Sequence, residues 1–250
     1  MTKEYYYRQL EVLQTEGDRE EAIRLCREYE KFCRENGDLD ELASVLDTLS
    51  WELDVSEHPD ARKVFDDLLE LRKALAHNNL KTYGQAYALL LHRKSYTWAE
   101  SNDEAIACQK EAMDIYKHLG LYDEKGFDIE LEDAFGYLGK LYCFNGEYEM
   151  CIRYTRTALE RFLKNTDTDS SADFQIALYY RRLGISHLCL GDTDAARNCL
   201  QKALDYFNRA EQAEPDPYTF PDVIGSCRIL LEECNGRTFP DEYYQQWMIG

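Results

Sequence analysis

The sequence predicts an all-α chain built from recurring helix pairs, and three observations carry that prediction. Its 250 residues include only five prolines and show no strand-like alternation of any length, while apolar residues return at helical spacing. A small residue opens a helical pattern at Ala22, Ala61, Ala105, Cys151 and Ala196, at intervals of 39, 44, 46 and 45 residues. Five residues before each lies a turn: Gly17-Asp18, Ser56-Glu57, Glu100-Ser101, Gly146-Glu147 and Gly191-Asp192. Glycine tolerates the left-handed backbone at a helix C-terminus, and the acid beside it can start the next helix.

In order, the first pair spans about 3–37, with Leu10, Leu13, Ala22, Leu25, Tyr29 and Phe32 on its inner face and Gly37-Asp38 closing it. The second, 39–78, has the helical stripe Leu42, Val45, Leu46, Leu49 and Leu53, then Ala61, Phe65, Leu68 and Leu69. Pro59 opens its second helix, a position that suits a residue without an N–H. The third, 80–119, begins with an unusually apolar helix from Tyr83 to Trp98, answered by Ala105, Cys108, Ala112, Ile115 and Tyr116. The fourth, 128–165, carries Phe135, Leu138, Gly139, Tyr142, Cys151 and Ala158, and a polar loop follows over 165–171. The fifth, 173–212, carries Tyr180, Leu183, Gly184, His187, Ala196, Leu200 and Ala203. Gly184 removes a side chain where two helices must nearly touch. Residues 219–250 form a capping pair, a helix from about Phe220 to Cys234 and a short one from Asp241 to Met248. The apolar tail over 243–249 covers the end of the core; the alternative is insertion into a neighbouring molecule, which would make the chain a self-associating structural subunit.

Composition narrows the function. The chain is 44% hydrophobic, enough for a substantial core, and carries 48 acids against 29 bases for a net charge of −19. Such a surface repels a phosphate backbone, so no nucleic acid is expected as partner. There is no apolar run of about 18 residues and no signal-peptide pattern, which implies no membrane partner and a cytoplasmic location. Nine cysteines occur without a C-x-x-C pair. Cys26 and Cys33, like Cys227 and Cys234, sit seven residues apart along one helix face, about 10 Å from each other and beyond disulfide reach, so small buried thiols are expected. No H-E-x-x-H, G-x-S-x-G or phosphate-cradling loop is present, and His58, His77, His92, His118 and His187 are scattered. The chain therefore reads as non-catalytic, with no cofactor and no metal site.

The stretch from Tyr180 to Ala203 places an aromatic, Leu183-Gly184, a ring at His187, then Ala196 and Leu200 in the order of the tetratricopeptide repeat. Phe135, Leu138, Gly139, Tyr142 and Cys151 do the same, departing at Thr155, where the pattern wants an aromatic and Tyr154 stands next door. The chain thus resembles a tetratricopeptide-repeat protein. That resemblance implies a right-handed superhelical α-solenoid of about five helix pairs plus a cap, one domain over 1–250. The long intervals are similar to those of bacterial regulatory domains of the peptide-pheromone receptor type, whose function would be that of a peptide-responsive sensor. The first pair begins within a few residues of Met1, so the N-terminal effector module such receptors carry is not expected here.

The resemblance also implies a protein- or peptide-binding concave groove lined by the first helix of each pair. Its ligand-facing slots fall on Tyr87, Leu90, Lys94, Thr97 and Trp98 in the third pair, on Asp133, Gly136, Lys140, Cys143 and Phe144 in the fourth, and on Leu178, Arg181, Ile185, Leu188 and Cys189 in the fifth. Lys94, Lys140 and Arg181 would make a cationic line in an acidic protein, flanked by Tyr87, Trp98 and Phe144 as rigid anchors. The expected ligand is a carboxylate-bearing peptide held at Tyr87, Leu90, Lys94, Trp98, Asp133, Lys140, Phe144, Arg181 and Ile185. The family's carboxylate clamp is not reproduced, since its slots hold Glu11, Ser50, Lys94, Lys140 and Ile185.

Overall fold

Eleven α-helices and one 3₁₀ turn, without a strand, make up the described residues of this computed structural model, which are 2–123, 128–165, 172–215 and 219–236. The polar loop over 166–171 and the terminal helix and tail expected over 241–250 lie outside them. Where the sequence predicts one domain over 1–250, the contacts gather into two compact units, Met1–Trp98 and Ala99–Gly250, with the division inside the third expected pair. Each unit is described by itself.

The first unit contains α1 (Lys3–Glu16), α2 (Arg19–Asn36), α3 (Leu39–Val55), α4 (Ala61–Asn78) and α5 (Leu80–Thr97). Short turns set successive helices antiparallel, stacked in the manner of an α-solenoid. The stripe Leu42, Val45, Leu46, Leu49 and Leu53 of α3 is buried against Ala61, Phe65 and Leu68 of α4. In the first pair Cys33 is buried as expected, but Phe32 departs from expectation. Phe32 is exposed and Cys33 is buried, because Tyr6 stacks on Tyr29 with ring centroids 4.2 Å apart and bonds Cys26 Sγ through its hydroxyl at 3.3 Å, drawing the Cys26–Tyr29–Cys33 edge of α2 inward. Pro59 precedes α4 rather than opening its first turn, since Asp60 is the N-cap.

The second unit contains α6 (Asn102–His118), the 3₁₀ turn Leu121–Asp123, α7 (Asp128–Phe144), α8 (Tyr148–Asn165), α9 (Asp173–Cys189), α10 (Thr193–Ala213) and α11 (Phe220–Cys234). Two glycines let the paired helices meet. A Cβ on Gly184 would stand 2.6 Å from Leu200 Cγ and 3.3 Å from the Leu200 backbone nitrogen. On Gly139 it would stand 2.3 Å from Thr155 Oγ1 and 3.1 Å from the Thr155 nitrogen. Tyr154, beside Thr155, stacks on Tyr142 at 5.3 Å. Farther along, Ala203, Phe207 and Ala177 pack with Phe220, Ile224 and Cys227 of α11.

The turns show why the glycine-acid signal works. At Gly191, φ is +79°, its N–H reaches Leu188 O at 2.9 Å, and the Asp192 N–H reaches back to His187 O at 2.9 Å. These two bonds satisfy carbonyls that the helix end leaves open. Asp192 then caps α10 by accepting from the Ala195 N–H at 3.1 Å. Asp18 and Asp38 cap α2 and α3 in the same way.

Candidate functional site

Four of the groove residues expected from sequence belong to the first unit. Tyr87 and Leu90 of α5 are buried, and Lys94 and Trp98 are half-buried. Trp98 is held from α4: the Arg62 guanidinium lies 5.7 Å from its ring centre and donates to its carbonyl at 2.9 Å, and the Phe65 ring is 6.1 Å away. That grip orders Trp98 at the end of α5 and uses much of its surface for packing.

The other five lie in the second unit. Asp133, Lys140 and Phe144 are seven and four residues apart on α7, which places them on one stripe of that helix. Asp133 and Phe144 are exposed, and Lys140 is half-buried with its ammonium 5.7 Å from the centre of the Phe144 ring. Arg181 and Ile185 of α9 are buried. Ile185 joins the core with Leu138, Leu141, Cys151 and Leu200. Burial, above all, holds the Arg181 pKa below its usual range, with the Arg182 charge pushing the same way.

The cation beside Lys140 is Arg182, which the sequence reading passed over. Its Nη1 donates to the Gly136 carbonyl at 2.7 Å, tying α9 to α7. A Cβ on Gly136 would come within 3.0 Å of the Tyr179 hydroxyl, so the glycine leaves room for the Tyr179 ring between α7 and α9. The Lys140 pKa is lowered first by burial and then by Arg182, with no carboxylate among the described residues acting on it. Among the described residues Lys140 makes no ion pair. The arrangement is therefore two neighbouring cations, one partly desolvated, under an exposed aromatic ring. A carboxylate entering there would relieve the desolvation cost and the mutual repulsion together.

Beneath this face a hydrogen bond with Cys143, against the opposing effect of burial and with help from Ser186, Arg182 and Thr155, pulls the Cys151 thiol pKa below its usual value, while the same bond pushes that of Cys143 up. Ser186 Oγ lies 3.0 Å from Cys151 Sγ. Both thiols are buried, Cys151 completely. A nucleophile needs access as well as a low pKa, so this cluster joins α7, α8 and α9 as packing. No group of three or more His, Cys, Asp or Glu among the described residues could hold a metal ion, and none of their helices is long and apolar enough to cross a membrane.

Neither a family model nor a curated protein sequence matches the chain. Among solved structures it is similar to the crystal structure of BtubC (BKLC) from P. vanneervenii, with a TM-score of 0.51 and 15% identity over 96% of this chain and 95% of that one. That likeness speaks for the helical fold alone.

Proposed function

We propose that the chain is a non-catalytic peptide-binding module of the tetratricopeptide-repeat kind, with the α7 face as its contact surface. The observation that carries this reading is Lys140, half-buried beside Arg182 with no ion pair among the described residues. A lysine that only neutralises neighbouring acids would have its pKa raised by them; this one is lowered. Phe144 supplies an exposed, rigid apolar surface next to the charge. The ligand is a peptide carrying a carboxylate against Lys140 and Arg182 and an apolar side chain against Phe144.

Affinity capture with wild-type chain, Lys140→Glu, Lys140→Arg and the Lys94→Glu/Lys140→Glu pair, read by mass spectrometry, tests it. Captured partners should vanish with both charge reversals and persist with Lys140→Arg. Unchanged capture by the double reversal ends the reading.

A further inference from the structure

The second unit has another cavity, about 480 Å³ in volume, built from α6, the 3₁₀ turn, α7 and α8. Among the described residues its contribution from α7 is Phe135, five residues before Lys140 and so about 140° around the helix from it. The cavity thus opens on a different side of α7, between the second helices of two successive pairs.

Among the described residues its rim carries three exposed cations, Lys110 and Lys117 from α6 and Arg153 from α8, against a single acid, Asp114. The chain as a whole has 48 acids to 29 bases, so this balance is locally inverted. None of the three cations forms an ion pair among the described residues. Lys110 and Arg153 lie over aromatic rings instead, Lys110 at 5.4 Å from Tyr142 and Arg153 at 6.0 Å from Tyr154. The walls are half-buried rings in contact with one another: Tyr122 meets Phe135 edge-on at 6.3 Å, and Phe135 meets Tyr154 at 6.0 Å. Arg161 braces the Tyr122 and Phe135 rings at 5.7 and 5.5 Å.

The chemistry distinguishes a peptide from a free phosphate. Phosphate sites converge backbone N–H groups from a helix N-terminus or a glycine turn. Here α6 and α8 contribute residues well past their first turns, and the charges are separate side chains spread around an apolar floor. Separate point charges around aromatic walls match carboxylates distributed along a chain with one bulky apolar side chain between them.

We propose that the cleft between α6 and α8 docks an acidic segment of a partner protein, with one large apolar side chain seated on Phe135 and Tyr154 and flanking carboxylates against Lys110, Lys117 and Arg153. This site is independent of the α7 face around Lys140.

The test pans a phage-displayed random peptide library on the full chain and measures each enriched peptide by fluorescence anisotropy. The partners are wild type, the Lys110→Glu/Arg153→Glu variant and Lys140→Glu; both substituted rim residues are exposed, and circular dichroism verifies the fold. The expected result is enrichment of peptides with acids flanking a bulky apolar residue. Their affinity should fall at least about tenfold in Lys110→Glu/Arg153→Glu, stay unchanged in Lys140→Glu, and weaken with salt. The proposal is overturned if no acidic-apolar pattern is enriched, or if enriched peptides bind the rim variant as well as wild type. It is equally overturned if Lys140→Glu alone removes binding, which assigns those peptides to the other face. Saturable ATP binding lost in the rim variant, with no peptide enriched, marks a small-anion pocket and also overturns it.

Discussion

Gly139 and Thr155 stand where α7 and α8 come closest: a Cβ added to the glycine would lie 2.3 Å from Thr155 Oγ1 and 3.1 Å from the Thr155 backbone nitrogen. The threonine is completely buried and cannot swing away. Gly139→Ala should therefore cost about 1–3 kcal/mol, the usual range for overpacking a close contact. In a Thr155→Ala background the same change should cost less, because the nearest atom is gone, though the backbone contact keeps the cost above zero. Urea unfolding of the four forms in a double-mutant cycle measures the coupling. Equal costs in both backgrounds would show that the side chain is not what excludes the alanine.

Gly225 is the contrasting case. It lies inside α11, and a Cβ there would meet no atom of the described residues within 4 Å. Gly225→Ala should stabilise the chain by roughly 0.5–1 kcal/mol, through higher helix propensity and a less free unfolded state. A raised urea midpoint with an unchanged slope confirms it.

The contrast between these glycines indicates what sequence could and could not reveal. Gly139 and Gly184 were legible because each sits four residues after an aromatic and directly after a leucine, where a missing side chain has one obvious use. Turns at Gly17, Gly146 and Gly191 were legible because a left-handed residue followed by an acid is a local signal needing no tertiary knowledge. Side-chain direction on α9 was not. One residue is about 100° of helix, and α9 packs against α8, α10 and α11, so Arg181 is buried while Arg182 reaches the α7 face. Phe32 turns out exposed for the same reason, once Tyr6 fixes the roll of α2. The α6–α8 cleft left no trace in the sequence, because its residues are scattered from Lys110 to Thr157 and each reads alone as an ordinary helix position.

Glu57 occupies a position that its counterparts give to glycine. Its φ is +52°, and its N–H reaches Asp54 O at 3.0 Å while that of His58 reaches Leu53 O at 2.9 Å, the same pair of bonds that closes α9 at Gly191. Left-handed geometry costs a residue with a Cβ roughly 1–2 kcal/mol. A glycine's freer unfolded chain gives back roughly 0.5–1 kcal/mol of that. Glu57→Gly should thus stabilise by about 0.5–1 kcal/mol, read as a shift in urea midpoint. Glu57 is exposed, so no lost packing confuses the measurement. A destabilised variant would mean that the glutamate makes a contact in solution worth more than the backbone strain.

Glu132 and Tyr179 form a buried pair across α7 and α9, with the tyrosine hydroxyl donating to Glu132 Oε1. Burial raises the Glu132 pKa above its ordinary 4.5, opposed by the Tyr179 hydrogen bond and aided by the Asp133 charge. Burial also raises the Tyr179 pKa, so the phenol stays protonated and remains a donor. For a carboxyl whose folded pKa is raised, the stabilising contribution is complete below 4.5 and is lost as pH climbs through the folded value. Glu132→Gln keeps an acceptor for Tyr179 and removes the buried charge, so it should be more stable than wild type at neutral pH, with the gap shrinking as pH falls through the raised folded value toward 4.5 and constant below that. Tyr179→Phe acts in the opposite sense, leaving the carboxylate without its donor at a cost of roughly 1–3 kcal/mol. That penalty should be largest at neutral pH, where the carboxylate is charged. Urea midpoints of the three proteins across this pH range decide the matter: parallel profiles would show that Glu132 does not change protonation there, and the burial argument would fail.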